Sequence, residues 1–355
     1  MNKSAVPTID FEPFLIGNHD DRQVVAQAIN KACIETGFFA VTGHGVPETR
    51  IAELRARAVE FFALPDSEKA LVARPPEKIS RGWNHVGDRS LAYSMGKETP
   101  PDLQESFVMG PVGVPDEPYF RCDRARPFFA PNLWPESQPH LQAAMTEHFG
   151  AMGVLARALM QAFALALDLP EEHFDDKIGR HASTLRVIRY PGRVDAATGQ
   201  RRAGEHTDYG TLTILRGDNL PGGLQVKLRH GDWTDVVRPE GGFICNIGDA
   251  MARWTNDRWV STLHRVGLPP AGGSAEDRIS IVFFHNPDYD SEMRCITAPG
   301  EAAKYPTESF DAYYVDKVMR GSFGKNDFTA READAGAKPT AGRLGQTEYN
   351  SKHRV

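Results

Sequence analysis

The chain has 355 residues, 41% of them hydrophobic, and a formal net charge of -6. That composition is ample for a packed core, and the length allows one large domain or two modest ones. Acidic and basic residues are well mixed, so no basic stripe exists to neutralise phosphates and no nucleic-acid partner is expected.

In chain order, VPTIDFEPFL (residues 6–15) reads as a short strand and turn. Asp20 to Thr36 carries Val24, Val25, Ala28, Ile29 and Ala32 at helical spacing, and Gly37 suits its C-terminal stop. Phe38 to Thr42 reads as a strand that runs into a GHG turn, and Pro47 to Ala63 as a second amphipathic helix. Residues 74–135 are rich in Pro, Gly and Asp and predict a long irregular excursion with short strands at most. Leu141 to Leu169 is an Ala- and Leu-rich helix, apolar on most faces, and belongs against a sheet.

After Arg180 the character changes. Short β-prone runs such as STLRVIRYP, TLTILRG, GLQVKL, GFICNIG, WVSTLHRV and ISIVFF alternate with Gly, Pro, Asp and Asn. That spacing indicates a sandwich or barrel. A helix is expected over Thr307 to Met319 and a loosely packed tail from Gly321 onward. The expected organisation is residues 1–135 as an N-terminal region, 136–320 as the core with its supporting helix, and 321–355 as the tail, all in one compact unit.

Cys33, Cys122, Cys245 and Cys295 are scattered with no CxxC pair, which suits free thiols in a reducing compartment. MNKSAVPTIDFEPF has no apolar signal-like stretch, and no run of about 18 apolar residues is seen. A cytoplasmic enzyme without a membrane span is the expectation.

The chemistry concentrates in HTDYGTLTIL, STLHRV and DRISIVFF. His206 and Asp208 are i and i+2, which on a strand share one face, and Thr207 would point the other way. With His264 they form two imidazoles and one carboxylate, a complete protein ligand set for non-haem iron(II) with open positions. Zinc could use the same residues. Arg278 and Ser280 again share a strand face and suit a carboxylate clamp, to which Tyr190 could add a hydroxyl. The competing role for Arg278 is an ion pair with Glu276 or Asp277. His44 fits a turn or core position, and His85, His181, His230 and His285 have no partner at ligand spacing. Asn246 could orient a ligand, whereas Asp249 suits a cap or turn. Leu215, Val282 and Phe284 are candidate cavity walls, with plain core packing the simpler role.

Over nearly its whole length the chain resembles the isopenicillin N synthase-like branch of the iron(II)/2-oxoglutarate-dependent oxygenases. The N-terminal match lies in VPTIDF, ETGFFAVTGHGVP and FFALPDSEK. The catalytic match lies in LRVIRYP, HTDYGTLTIL, GGLQV, GGFICNIGD, STLHRV and RISIVFF. The resemblance implies a double-stranded β-helix (jelly-roll) core flanked by helices, of mixed α+β or mainly β class. It implies His206, Asp208 and His264 as iron ligands, and Arg278 and Ser280, helped by Tyr190, as binders of 2-oxoglutarate. Several members carry an NYYP-like string where this chain has RYPG.

The implied activity is oxidation, chiefly hydroxylation, of a small-molecule substrate with O2, releasing succinate and CO2, with ascorbate as a reductant. Residues 81–95 occupy the place where such enzymes hold substrate, which makes Arg81, Trp83, Asn84 and Tyr93 candidate contacts. Two alternatives stay open: an isopenicillin N synthase-type oxidase that uses O2 without 2-oxoglutarate, and a barrel that binds without catalysis.

Overall fold

The computed structural model describes residues 6–76, 79–88, 90–96, 99–192, 196–229, 231–270 and 276–322. The expected tail lies almost wholly outside the described residues.

The core strands are β1 (Thr8–Asp10), β2 (Phe38–Thr42), β3 (Gly82–Asn84), β4 (Glu105–Met109), β5 (Thr184–Tyr190), β6 (Ala203–His206), β7 (Leu212–Gly217), β8 (Leu224–Lys227), β9 (Trp233–Asp235), β10 (Phe243–Ile247), β11 (His264–Val266) and β12 (Arg278–His285). They form an eight-stranded sheet in the order β1-β2-β10-β7-β12-β5-β4-β3 and a four-stranded sheet in the order β6-β11-β8-β9. The two sheets make a jelly roll flanked by helices. Strands β1 to β4, from the region expected to stand N-terminal to the core, extend both edges of the larger sheet.

Alternation along β5 and β12 explains how one sheet serves two purposes. Leu185, Val187, Ile279, Ile281 and Phe283 point into the main hydrophobic core. Thr184, Arg186, Ile188, Tyr190, Arg278, Ser280, Val282 and Phe284 point the other way and line a cavity. Leu215, Val282 and Phe284 are therefore cavity walls as well as packing groups.

On the core side lies the helix Pro139–Ala166, packed on helices His19–Glu35 and Glu48–Phe62 and on β7 and β12. It is long and apolar enough to cross a membrane by length and composition alone. Here most of its residues, among them Leu155, Leu159 and Phe163, are buried in the core. The irregular excursion contains β3, β4 and several one-turn helices. The C-terminal helix starts at Phe310, later than expected, because Glu308 and Ser309 pair with Glu292 and Met293 as short strands.

Candidate active site

The cavity lies between the two sheets and has a volume of about 310 Å³. Strands β6 and β11 place His206 directly opposite His264 as cross-strand partners. Strand β6 ends at His206, so Asp208 follows in the loop rather than on the strand. Thr207 consequently does not turn away as the strand pattern predicts. It borders the cavity and donates its hydroxyl to Asp249 Oδ2 at 3.1 Å.

One ligand atom from each of His206, Asp208 and His264 lies within 4.8 Å of the others. His206 Nε2 is 3.9 Å and His264 Nε2 3.7 Å from Asp208 Oδ1. Each Nδ1–H donates to a nearby carbonyl, Gly204 O at 2.8 Å and Thr262 O at 2.9 Å. This leaves both Nε2 lone pairs free for a metal. Asp208 Oδ2 accepts from Asn246 Nδ2 at 2.8 Å and Thr213 Oγ1 at 2.6 Å, so Oδ1 remains for the ion. Asn246 is thus an orienting group, and Thr213 is one that sequence reasoning missed.

Electrostatics favour the metal-binding forms. Burial and the neighbouring His264 push His206 down to about 4, which keeps its imidazole neutral. Burial raises the Asp208 carboxyl, but His264, His206 and the bonds from Asn246 and Thr213 outweigh it and hold the carboxylate ionised. Two imidazoles and a fixed carboxylate oxygen suit iron(II) with open coordination positions.

Arg278 and Ser280 lie on the same cavity face, and Tyr190 is the cross-strand partner of Arg278. Burial, only partly opposed by the Arg278 charge, raises Tyr190 to about 12, so its O–H stays a donor. Arg278 donates through Nη1 to Asp218 O and, at 3.4 Å, to Leu220 O, while its Nε is buried without a partner. Asp277 is taken up by Arg189 at 2.6 Å and the Gly192 amide at 2.9 Å. The arginine passes so close to Gly217 that an added Cβ would lie 2.6 Å from Nη2. A side chain at Gly217 would have to displace that Nη2, so the glycine closing TILRG leaves room for the guanidinium where it lies.

The expected substrate contacts fare differently. Arg81 is fully buried and donates to Ser80 O, Phe128 O and Ala130 O at 2.8, 2.5 and 3.1 Å. Trp83 Nε1 donates to Glu105 at 2.8 Å, and Asn84 is buried on β3. None of the three lines the cavity, because β3 is the edge strand on β4, and the polar groups of Arg81 and Trp83 are used within the protein. The side chain of Tyr93 lies outside the described residues. His44 is a core histidine held by Gly241 O at 2.7 Å and the Val46 amide at 3.1 Å. His85, His181 and His285 lie away from the triad, and His230 is outside the described residues. Asp249 opens the helix Asp249–Trp254 and also accepts from Lys317 at 2.9 Å, tying the C-terminal helix to the triad loop. Arg74, Arg186 and Tyr314 line the cavity and were missed. Arg186 was accessible by alternation from Tyr190 in LRVIRY, whereas Tyr314 is brought in by tertiary packing.

Two family models match: the N-terminal model of non-haem dioxygenases in morphine synthesis over residues 6–137, and the 2OG-Fe(II) oxygenase superfamily over residues 182–287. The chain is 32% identical to a homoarginine-6-hydroxylase of Oryza sativa subsp. japonica over 89% of this chain and 97% of that protein. It is 34% identical to a proline hydroxylase of Petromyces alliaceus over 85% of this chain and 95% of that protein. Among solved structures it resembles a full-length Neurospora crassa protein crystallised in complex with alpha-KG and thymine. There the TM-score is 0.77 and the identity 28%, covering 90% of this chain and 98% of that one. With its triad, its two-sheet cavity and these matches, the chain belongs to the 2OG-Fe(II) oxygenase superfamily.

Proposed function

We propose that this oxygenase hydroxylates a C–H bond of a small molecule, with Arg278, Ser280 and Tyr190 holding the distal carboxylate of 2-oxoglutarate. The observation that carries the proposal is the placement of all three clamp residues on the wall of the cavity that also contains the triad. When bound, iron(II) with 2-oxoglutarate and O2 supplies the oxidising power, and succinate and CO2 are the co-products.

The protein's own groups supply position and environment. His206, His264 and Asp208 hold the metal on one side, and Asn246 and Thr213 fix which carboxylate oxygen faces it. Arg278 offers a planar fork and Tyr190 and Ser280 hydroxyls, a set matched to a carboxylate. Leu215, Val282 and Phe284 exclude water from the space between. A volume of about 310 Å³ is at the small end of ligand sites, so cosubstrate and substrate together must be small. Homoarginine and proline, named for the hydroxylases among the relatives, and the thymine of the Neurospora crassa complex are small molecules of that scale. The scattered cysteines support a cytoplasmic location.

The test is incubation of the purified chain with iron(II), 2-oxoglutarate, ascorbate and O2. Succinate release that disappears in His206→Ala supports the proposal, together with a product heavier by one oxygen atom. Iron-dependent oxidation that proceeds undiminished without 2-oxoglutarate would instead identify an oxidase.

A further inference from the structure

Arg186 differs from every other arginine with a buried, unpartnered Nε. Arg22, Arg202, Arg253 and Arg278 share that feature, yet each donates through another nitrogen to a carbonyl or carboxylate. Beyond the backbone pairing of β5, the Arg186 side chain makes no hydrogen bond or ion pair with any described residue. Its guanidinium instead lies 5.5 Å from the ring centre of Phe284, which holds it against the cavity wall. An ionised group desolvated without a partner is costly, and folds retain such groups where a ligand completes them.

The position defines which ligand. Tyr190 and Arg186 are four residues apart on β5, which is about 13 Å along a strand. The clamp with Arg278 sits opposite Tyr190, whereas Arg186 sits opposite Val282. Both ends border the same cavity, with Asp208 near enough to Arg186 for their charges to interact. A 2-oxoglutarate held by the clamp would have its distal carboxylate at the Arg278 end of β5, about 13 Å along the strand from Arg186, so that carboxylate would not neutralise both arginines.

The charge count leads to the same place. The charges of iron(II), Asp208, 2-oxoglutarate and Arg278 cancel. Arg74 and Asp88 also line the cavity and offset one another. Arg186 is left as one uncompensated positive charge beside the metal site.

We infer that Arg186 is the substrate-binding residue of this oxygenase and that its substrate is a small monocarboxylate whose carboxylate pairs with that guanidinium. The inference rests on the proposed 2-oxoglutarate chemistry. It adds that the reacting C–H bond lies between the carboxylate at Arg186 and the metal.

The experiment uses the full chain loaded with iron(II) and 2-oxoglutarate. A panel of small monocarboxylates (amino, aromatic, cyclic and short aliphatic acids) is compared with the matched primary amides. Binding is read by anaerobic calorimetry, and stimulation of succinate release in air. At least one acid is expected to bind and stimulate about tenfold or more above its amide, the factor a charge-assisted bidentate contact provides. Arg186→Gln is expected to abolish that preference and Arg186→Lys to restore part of it. 2-Oxoglutarate affinity, measured separately, reports whether each variant has kept its fold and clamp. Stimulation by amides as strong as by acids overturns the inference, as does an acid preference that survives in Arg186→Gln, or a panel in which no acid binds. Failure of the wild-type chain to bind 2-oxoglutarate would instead overturn the cosubstrate assignment beneath it.

Discussion

The β3–β4 edge of the larger sheet and the cavity face of β5 and β12 are both rich in buried charge, and they handle it in opposite ways. At the edge every charged group is answered from within. Glu105 accepts from Lys69 at 2.9 Å, Trp83 at 2.8 Å and Arg189 at 2.6 Å, and Arg81 places its nitrogens on three backbone carbonyls. On the cavity face Arg186 has no polar partner among the described residues, and Arg278 retains a buried, unpartnered Nε. Burial of an arginine therefore says little about its role. What distinguishes structure from binding is whether the protein itself completes the hydrogen bonds.

The comparison can be broken most readily at Arg81. Arg81→Met leaves three carbonyls without their donor and is expected to destabilise the fold by about 3 kcal/mol, read from urea midpoints. Loss of turnover at unchanged stability would return Arg81 to the substrate. A second test concerns His148, His181 and His285, which have unpartnered ring nitrogens but sit outside the cavity. Burial, with a contribution from Arg50, depresses His148 from the ordinary 6.5 to about 4. The unfolded chain therefore takes up this proton first. Stability is fully present above pH 6.5 and falls as the pH drops toward 4, by about 2 kcal/mol at pH 5 from this residue. His148→Phe should remove that part of the acid sensitivity. An identical pH–stability profile in the variant would mean that the ring is already solvated.

Smaller effects sharpen the other side. Asn246→Ala frees the Asp208 carboxylate to rotate and is expected to weaken iron(II) or cobalt(II) binding about 10–100-fold in a direct metal titration. Unchanged affinity would show that Thr213 alone orients the ligand. Arg186→Met removes a desolvated charge and should leave the ligand-free fold as stable, or more stable by about 1 kcal/mol, in thermal unfolding. A loss comparable to that of Arg81→Met would make Arg186 a structural arginine.

Much of this was legible in the sequence, for reasons particular to each element. Period-2 alternation placed Arg278 and Ser280 on one face and carried Val282 and Phe284 with them. HTDYG and STLHRV exposed the triad through residue type and order, although β6 ends at His206 and the strand-face argument for Asp208 and Thr207 did not hold. Arg81, Trp83, Asn84 and Tyr93 are candidate substrate contacts in the sequence because residues 81–95 occupy the place where the enzymes it resembles hold substrate. Nothing local in RGWN shows that β3 would join a sheet edge and direct Arg81 at Phe128 and Ala130. Tyr314 and the Lys317–Asp249 contact depend on how the C-terminal helix packs, which no local pattern encodes.

The central claim is the division of labour between two arginines on one cavity wall. Its most direct test is anaerobic calorimetric titration of 2-oxoglutarate into the metal-loaded wild-type chain, Arg278→Met and Arg186→Met. The account predicts binding weakened about 100-fold in Arg278→Met, from loss of a bidentate charge-assisted contact, and changed less than about threefold in Arg186→Met. Equal weakening in both variants, or greater weakening in Arg186→Met, would contradict it.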